Sequence, residues 1–170
     1  MINKIPSVNG GLKKQLILTR IFNAPSETVF KAWTETSQIK QWWGPHGFTN
    51  PVCEMDVRPG GSIHIDMMAP DGVVFPMGGT FRIIESPRRI VFMSTAFEDE
   101  EGNNRLENLN TITFTALDGK TKLHLQADVL RSTPEMDSVL DGMEEGWRQS
   151  LDKLEAYLAQ QSQKPLNKRP

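Results

Sequence analysis

Catalysis and metal binding need groups that hold a proton, a metal ion or a reactive electron pair, and this 170-residue chain carries few of them in useful patterns. Its three histidines, His46, His64 and His124, are scattered and form none of the short ligand spacings of a zinc site. Alternation along the chain puts His64 and His124 on the outer face of strands. Cys53 is the single cysteine, which excludes an internal disulfide and a thiolate metal cluster, and its inward parity suits a small buried hydrophobe. No serine lies in a nucleophile-elbow pattern. Asp56 and Arg58 share a strand face two residues apart, a spacing that suits a charge pair beside a turn more than acid and base work. No catalytic residue, metal ligand set or cofactor is therefore expected.

Recognition chemistry is better represented. Asn108 and Asn110 share the parity of Ile112 and Phe114 in the penultimate strand, so two amides are expected on an apolar face. A buried amide needs hydrogen-bond partners, and these two either satisfy a local bend or point into a wet cavity. Arg105 and Glu107 have the opposite parity, although a bulge would exchange the two sets. Met55, Met67 and Met77 recur on the inward parity of three successive strands, beside Ile65, Phe75 and Phe81. Met143 faces them from the C-terminal segment. Methionine adapts to varied apolar ligands, and it also serves as ordinary core filling. Trp43 and Phe48, next to Gly44-Pro45, form either a wall of a cavity mouth or the closing edge of the core. With Trp147 these residues outline an expected pocket for a small apolar or aromatic molecule.

The elements that must position this pocket follow from periodicity. Met136, Leu140, Met143, Trp147, Leu151, Leu154 and Leu158 step by three or four residues, which predicts one amphipathic helix from Thr133 to about Gln160. Thr133 suits its N-cap and Pro134 its first position. Gly142 and Gly146 each cost roughly 1 kcal/mol against alanine there, and are either tolerated or used for close packing. Upstream, Gln15 to Phe22 reads as a strand. Val29, Phe30 and Trp33 give a short helix after Pro25, and Ile39, Trp42 and Trp43 a second that stops at Gly44-Pro45.

From Asn50 the period changes to two, with turns at Pro59-Gly60, Pro70-Asp71-Gly72 and Asp118-Gly119, which predicts an antiparallel meander of about six strands. Pro76 and Gly78-Gly79 mark an edge position, a bulge or a bend in the run from Val73 to Glu85. The expected class is α+β: about seven antiparallel strands, two short helices after the first, and a long C-terminal helix packed on the apolar face. Residues 1–14 and 161–170 lack periodicity and are expected to be loose tails of one domain spanning 15–160.

A formal charge of −2 and a pI near 5.9, without a basic stripe, argue against a nucleic-acid partner. No run approaches the ~18 apolar residues of a membrane span, and the start has no secretory pattern, so a cytoplasmic location is expected. Monomer and homodimer both remain open.

The motifs also carry a resemblance. Ala24-Pro25 followed by Val29-Phe30-Lys31-Ala32-Trp33-Thr34, then Trp42-Trp43-Gly44-Pro45 with Phe48, resembles the entry pattern of the family named after the activator of heat-shock-protein-90 ATPase. Asp56-Val57-Arg58-Pro59-Gly60-Gly61, Pro70-Asp71-Gly72 and Gly146-Trp147 with Leu151, Leu154, Tyr157 and Leu158 continue it in order, over about Leu16 to Leu158. The resemblance implies the helix-grip fold of the START-like superfamily, in which a curved sheet wraps the C-terminal helix and leaves a cavity. It does not fix a function. A binding module for a small apolar molecule ranks first, a polyketide cyclase or hydrolase-like enzyme second. A chaperone-binding domain like the activator itself ranks last.

Overall fold

The alternation of apolar and polar residues is realised as one antiparallel sheet in a computed structural model that describes residues 14–162. The expected tails lie, but for Lys14, Gln161 and Ser162, outside the described residues. Strand β1 (Lys14–Phe22) is followed by α1 (Ser26–Thr34) and α2 (Thr36–Trp42), and then by β2 (Thr49–Met55) and β3 (Ser62–Met68). The meander continues through β4 (Val74–Glu85), β5 (Arg89–Glu98), β6 (Asn104–Leu117) and β7 (Lys120–Ser132). The seven strands lie in the order β1-β7-β6-β5-β4-β3-β2, so the two interrupting helices carry the chain from one edge of the sheet to the other.

The C-terminal segment departs from the single expected helix. A 3-10 turn (Pro134–Met136) leads into α3 (Asp137–Asp141), and α4 (Met143–Ser162) begins after a break at Gly142. Gly142 sits at φ −92 and ψ 1, outside helical geometry, and its N–H is shared between the carbonyls of Ser138 and Val139 at 3.2 Å each. Glycine gains least from staying helical, which is why the stripe breaks there and not at a leucine. Thr133 precedes the 3-10 turn as expected, but its hydroxyl makes no capping bond.

Leu151, Leu154 and Leu158 of α4 join Val29, Phe30, Trp33, Ile39 and Trp42 of α1 and α2 in one core with the inward side chains of the sheet. Salt bridges also tie β1 to α4, with Arg20 Nη1 2.7 Å from Asp152. The Gly78-Gly79 pair lies within a continuous β4, and the register shift falls further on, between Phe81 and Ile83. A Cβ on Gly79 would stand 2.0 Å from the carbonyl oxygen of Met93, so glycine is required by close approach of the β5 backbone. A second shift, at Glu107 and Asn108 against β7, leaves Asn108 and Asn110 in phase with Ile112.

Candidate binding site

The short helices and the central strands flank a partly open space of about 20 Å³. Trp33, Ile39 and Trp43 line it from the helix side, and Met55, Ile63, Ile65, Met77, Phe81, Ile90 and Phe92 from the sheet. All of these side chains are apolar but for the indole nitrogens. At this volume the space holds about one water molecule, so a larger guest requires side chains to move.

Local sequence explains how the helix side is held. Trp33 closes the last turn of α1 and contacts Trp42 at 4.9 Å and Trp43 at 6.1 Å between ring centroids. Trp42 donates its indole N–H to the carbonyl of Ala32 at 3.0 Å, which locks α2 against α1. Asn50, nearly fully buried at the start of β2, donates from Nδ2 to the carbonyls of Lys40 and Trp43, both at 3.0 Å. From α4, Lys153 donates to the carbonyls of Trp43 (3.4 Å), Pro45 (3.1 Å) and Phe48 (3.0 Å). Its half-buried position pushes the lysine pKa down by desolvation. The loop that carries Trp43 is therefore fixed from both sides.

Of the pocket positions expected from sequence, Trp43, Met55, Ile65, Met77 and Phe81 line the space. Ile112 and Phe114 are buried in solid core, Phe114 in an edge-on contact with Phe30 at 5.2 Å. The expected roof of Met143 and Trp147 is replaced by α1 and α2, because Trp33 and Trp43 intervene. Trp147 stacks on Trp33 at 6.1 Å and meets Trp43 edge-on at 5.4 Å, one ring behind the space. Met143, at the first position of α4, bridges the main core and a smaller cluster formed by Leu106, Val129 and Met136. Phe48, Met67 and Phe75 are half-buried, with Phe48 6.1 Å from Phe75 and Phe75 6.3 Å from Phe97.

Sequence reasoning left out Trp33, Ile39, Ile63, Ile90 and Phe92. Their parity or helical spacing was visible, but not which apolar positions border a void.

The two amides take distinct positions. Asn110 is 1% exposed, and its Nδ2 donates to the carbonyl of Phe92 at 3.3 Å and to Ser94 Oγ at 2.9 Å. Because a carbonyl can only accept, this fixes the amide orientation and leaves Oδ1 as the free acceptor. Asn110 Oδ1, Asn108 Oδ1 and the indole nitrogen of Trp33 are all buried without a hydrogen-bond partner among the described residues.

Ionisable groups lie elsewhere. His46 Nε2 is 3.6 Å from Asp152, His64 Nε2 is 3.1 Å from Asp66, and His124 Nδ1 is 3.2 Å from Thr19 Oγ1. Asp56 and Arg58 form an exposed pair at 2.8 Å. Burial pushes the half-buried Cys53 thiol up, which disfavours its reactive thiolate. Among the described residues no cluster of three or more histidine, cysteine, aspartate or glutamate side chains could hold a metal ion. A second, open groove of about 340 Å³ on the α2–α4 surface is lined by Gln41, Lys153, Ala156, Tyr157 and Gln160.

Residues 23–159 match the family described as activator of Hsp90 ATPase homolog 1-like protein. Solved structures agree in fold. A protein from Nitrosomonas europaea is 24% identical with a TM-score of 0.73, covering 91% of this chain and 98% of that one. One from Mycobacterium smegmatis is 27% identical with a TM-score of 0.70, covering 85% and 90%. The AHSA1 protein from Silicibacter pomeroyi is 26% identical with a TM-score of 0.72, covering 87% and 99%. No curated protein matches the chain. Among the described residues no helix is long and apolar enough to cross a membrane.

Proposed function

The chain belongs to the activator of Hsp90 ATPase homolog 1-like family, and from that premise we propose that it is a binding module for a small apolar or aromatic molecule, held between the sheet and the tryptophan cluster. The observation that carries this reading is the apolar space lined by Trp33, Trp43, Met55 and Met77. Two of those walls are methionines, whose unbranched side chains change rotamer at little cost and let a small space open around a guest. Among the described residues the lining holds no acid, base or nucleophile, which favours binding over bond-breaking chemistry. Half-buried Met67 and Phe75 continue the same parity of the sheet beyond the space, and half-buried Phe48 lies 6.1 Å from Phe75.

Titration of tryptophan emission tests this directly, because Trp33 and Trp43 line the space and Trp147 contacts both. Ethylbenzene, acetophenone and benzyl alcohol are expected to change the emission saturably. A linear, non-saturating response to all three would refute the reading.

A further inference from the structure

Trp33 is 2% exposed, it lines this space, and among the described residues its indole N–H has no acceptor. The other buried tryptophan of the adjacent helix, Trp42, is satisfied by the carbonyl of Ala32 at 3.0 Å. A buried donor without a partner opposes folding, so a group of this kind beside a void points to an acceptor supplied from outside. We propose that the Trp33 N–H is the polar anchor of the site, and that it selects neutral apolar molecules presenting one oxygen acceptor, a hydroxyl or a carbonyl. The inference rests on reading this space as a binding site and adds what that site prefers.

The surroundings define the charge of the preferred molecule. Among the described residues no lysine, arginine or histidine lines the space, so a carboxylate would lose its hydration and gain a single neutral donor. On the same sheet face the carboxamide oxygens of Asn108 and Asn110 are buried acceptors without donors. Asn110 is hydrogen-bonded to the backbone of Phe92, itself a lining residue, and such oxygens disfavour an anion further. A hydrocarbon satisfies none of these groups. A neutral alcohol or ketone satisfies the indole without bringing a charge into the core, and this mismatch is the kind that a polar group in an apolar site discriminates well.

The test uses the full-length chain, whose four tryptophans give four indole N–H signals in proton–nitrogen correlation spectra. Ethylbenzene, acetophenone, benzyl alcohol and benzoate differ in polarity at nearly constant size. Acetophenone and benzyl alcohol are expected to bind about tenfold or more tighter than ethylbenzene, and at least that much tighter than benzoate. At saturation the Trp33 indole proton should move downfield while that of Trp42 stays in place. Trp33→Phe should bring the acetophenone-to-ethylbenzene ratio to about one, and the wild-type spectra decide the matter if that variant folds poorly. Ethylbenzene binding as tightly as acetophenone, or an unmoved Trp33 signal at saturation, would overturn the anchor and leave the binding site standing. Preferred binding of benzoate would overturn the neutral selectivity. Absence of binding by any of the four would remove the site and the anchor together.

Discussion

Trp147 of α4 stacks on Trp33 of α1 with ring centroids 6.1 Å apart and planes 21° from parallel. The C-terminal helix thus reaches the apolar space only through a second indole. Aromatic pairs of this kind contribute roughly 0.5–1.5 kcal/mol beyond the area they bury. They also couple the two helices, so that a displacement of Trp33 is felt at Trp147.

Two glycines should respond in opposite directions to alanine. In the turn after β2, a Cβ on Gly61 would lie 1.8 Å from the carbonyl oxygen of Asp56, and backbone cannot move aside there as a side chain could. Gly61→Ala should cost at least about 2 kcal/mol in urea unfolding. At Gly142 the φ is negative and the nearest atoms to a Cβ are 3.8 and 3.9 Å away, so Gly142→Ala should stabilise by about 0.4–1 kcal/mol by restricting the unfolded chain. Destabilisation at Gly142 would show that the break between α3 and α4 is itself required.

Lys153 should be worth more than an ordinary surface lysine. Its ammonium donates to three carbonyls in and beside the loop that carries Trp43. Lys153→Met keeps the length and apolar stem but removes the donors, and should cost about 1–3 kcal/mol. Amide exchange from Gly44 to Phe48 should quicken in step. Unchanged stability and exchange would mean that water replaces the ammonium without loss.

Cys53 should be a sluggish thiol. Burial is the largest influence on it and raises its pKa, so at any pH below that value less thiolate is present than in an unstructured peptide. Alkylation by iodoacetamide at pH 8 should run slower than for a free thiol, and the rate should go on rising with pH beyond the point at which a free thiol levels off. Since the folded state holds the proton more tightly, stability attributable to Cys53 is present below the unfolded pKa and lost as pH rises through the folded one. A rate plateau near pH 8 would contradict the direction of the shift.

Met77 tests whether the space is a binding site or a packing defect. Met77→Ala enlarges it, and should cost about 2–4 kcal/mol, because surrounding side chains collapse only partly into a void. Saturating ethylbenzene should then restore part of the loss, since a ligand that binds only the folded state stabilises by mass action. No recovery would mean that the enlarged space has closed.

Much of this was legible in the chain because period-two alternation and turn residues are local signals. The β2–β7 meander, the two helices after β1, and the inward parity of Met55, Ile65, Met77 and Phe81 all follow from such signals. The break at Gly142 was less legible, because a glycine in a strong apolar stripe is decided by tertiary packing against α3 and the core. Which aromatic roofs the space was not legible at all. Trp33, Trp43 and Trp147 have equal claim by spacing, and only their three-dimensional order puts Trp147 behind the other two. The unpartnered Trp33 N–H has no sequence signature, since satisfaction of an indole depends on which carbonyl lies within reach.

The most direct measurement follows the methyl signals of the eight methionines while ethylbenzene and acetophenone are titrated into the full-length chain. Met55 and Met77 line the apolar space, whereas Met68 and Met93 do not. If the space is the binding site, the methyls of Met55 and Met77 move saturably with one common Kd, and those of Met68 and Met93 hold still. If no methyl moves, or only Met68 and Met93 respond, the space between sheet and tryptophan cluster is not where this protein binds.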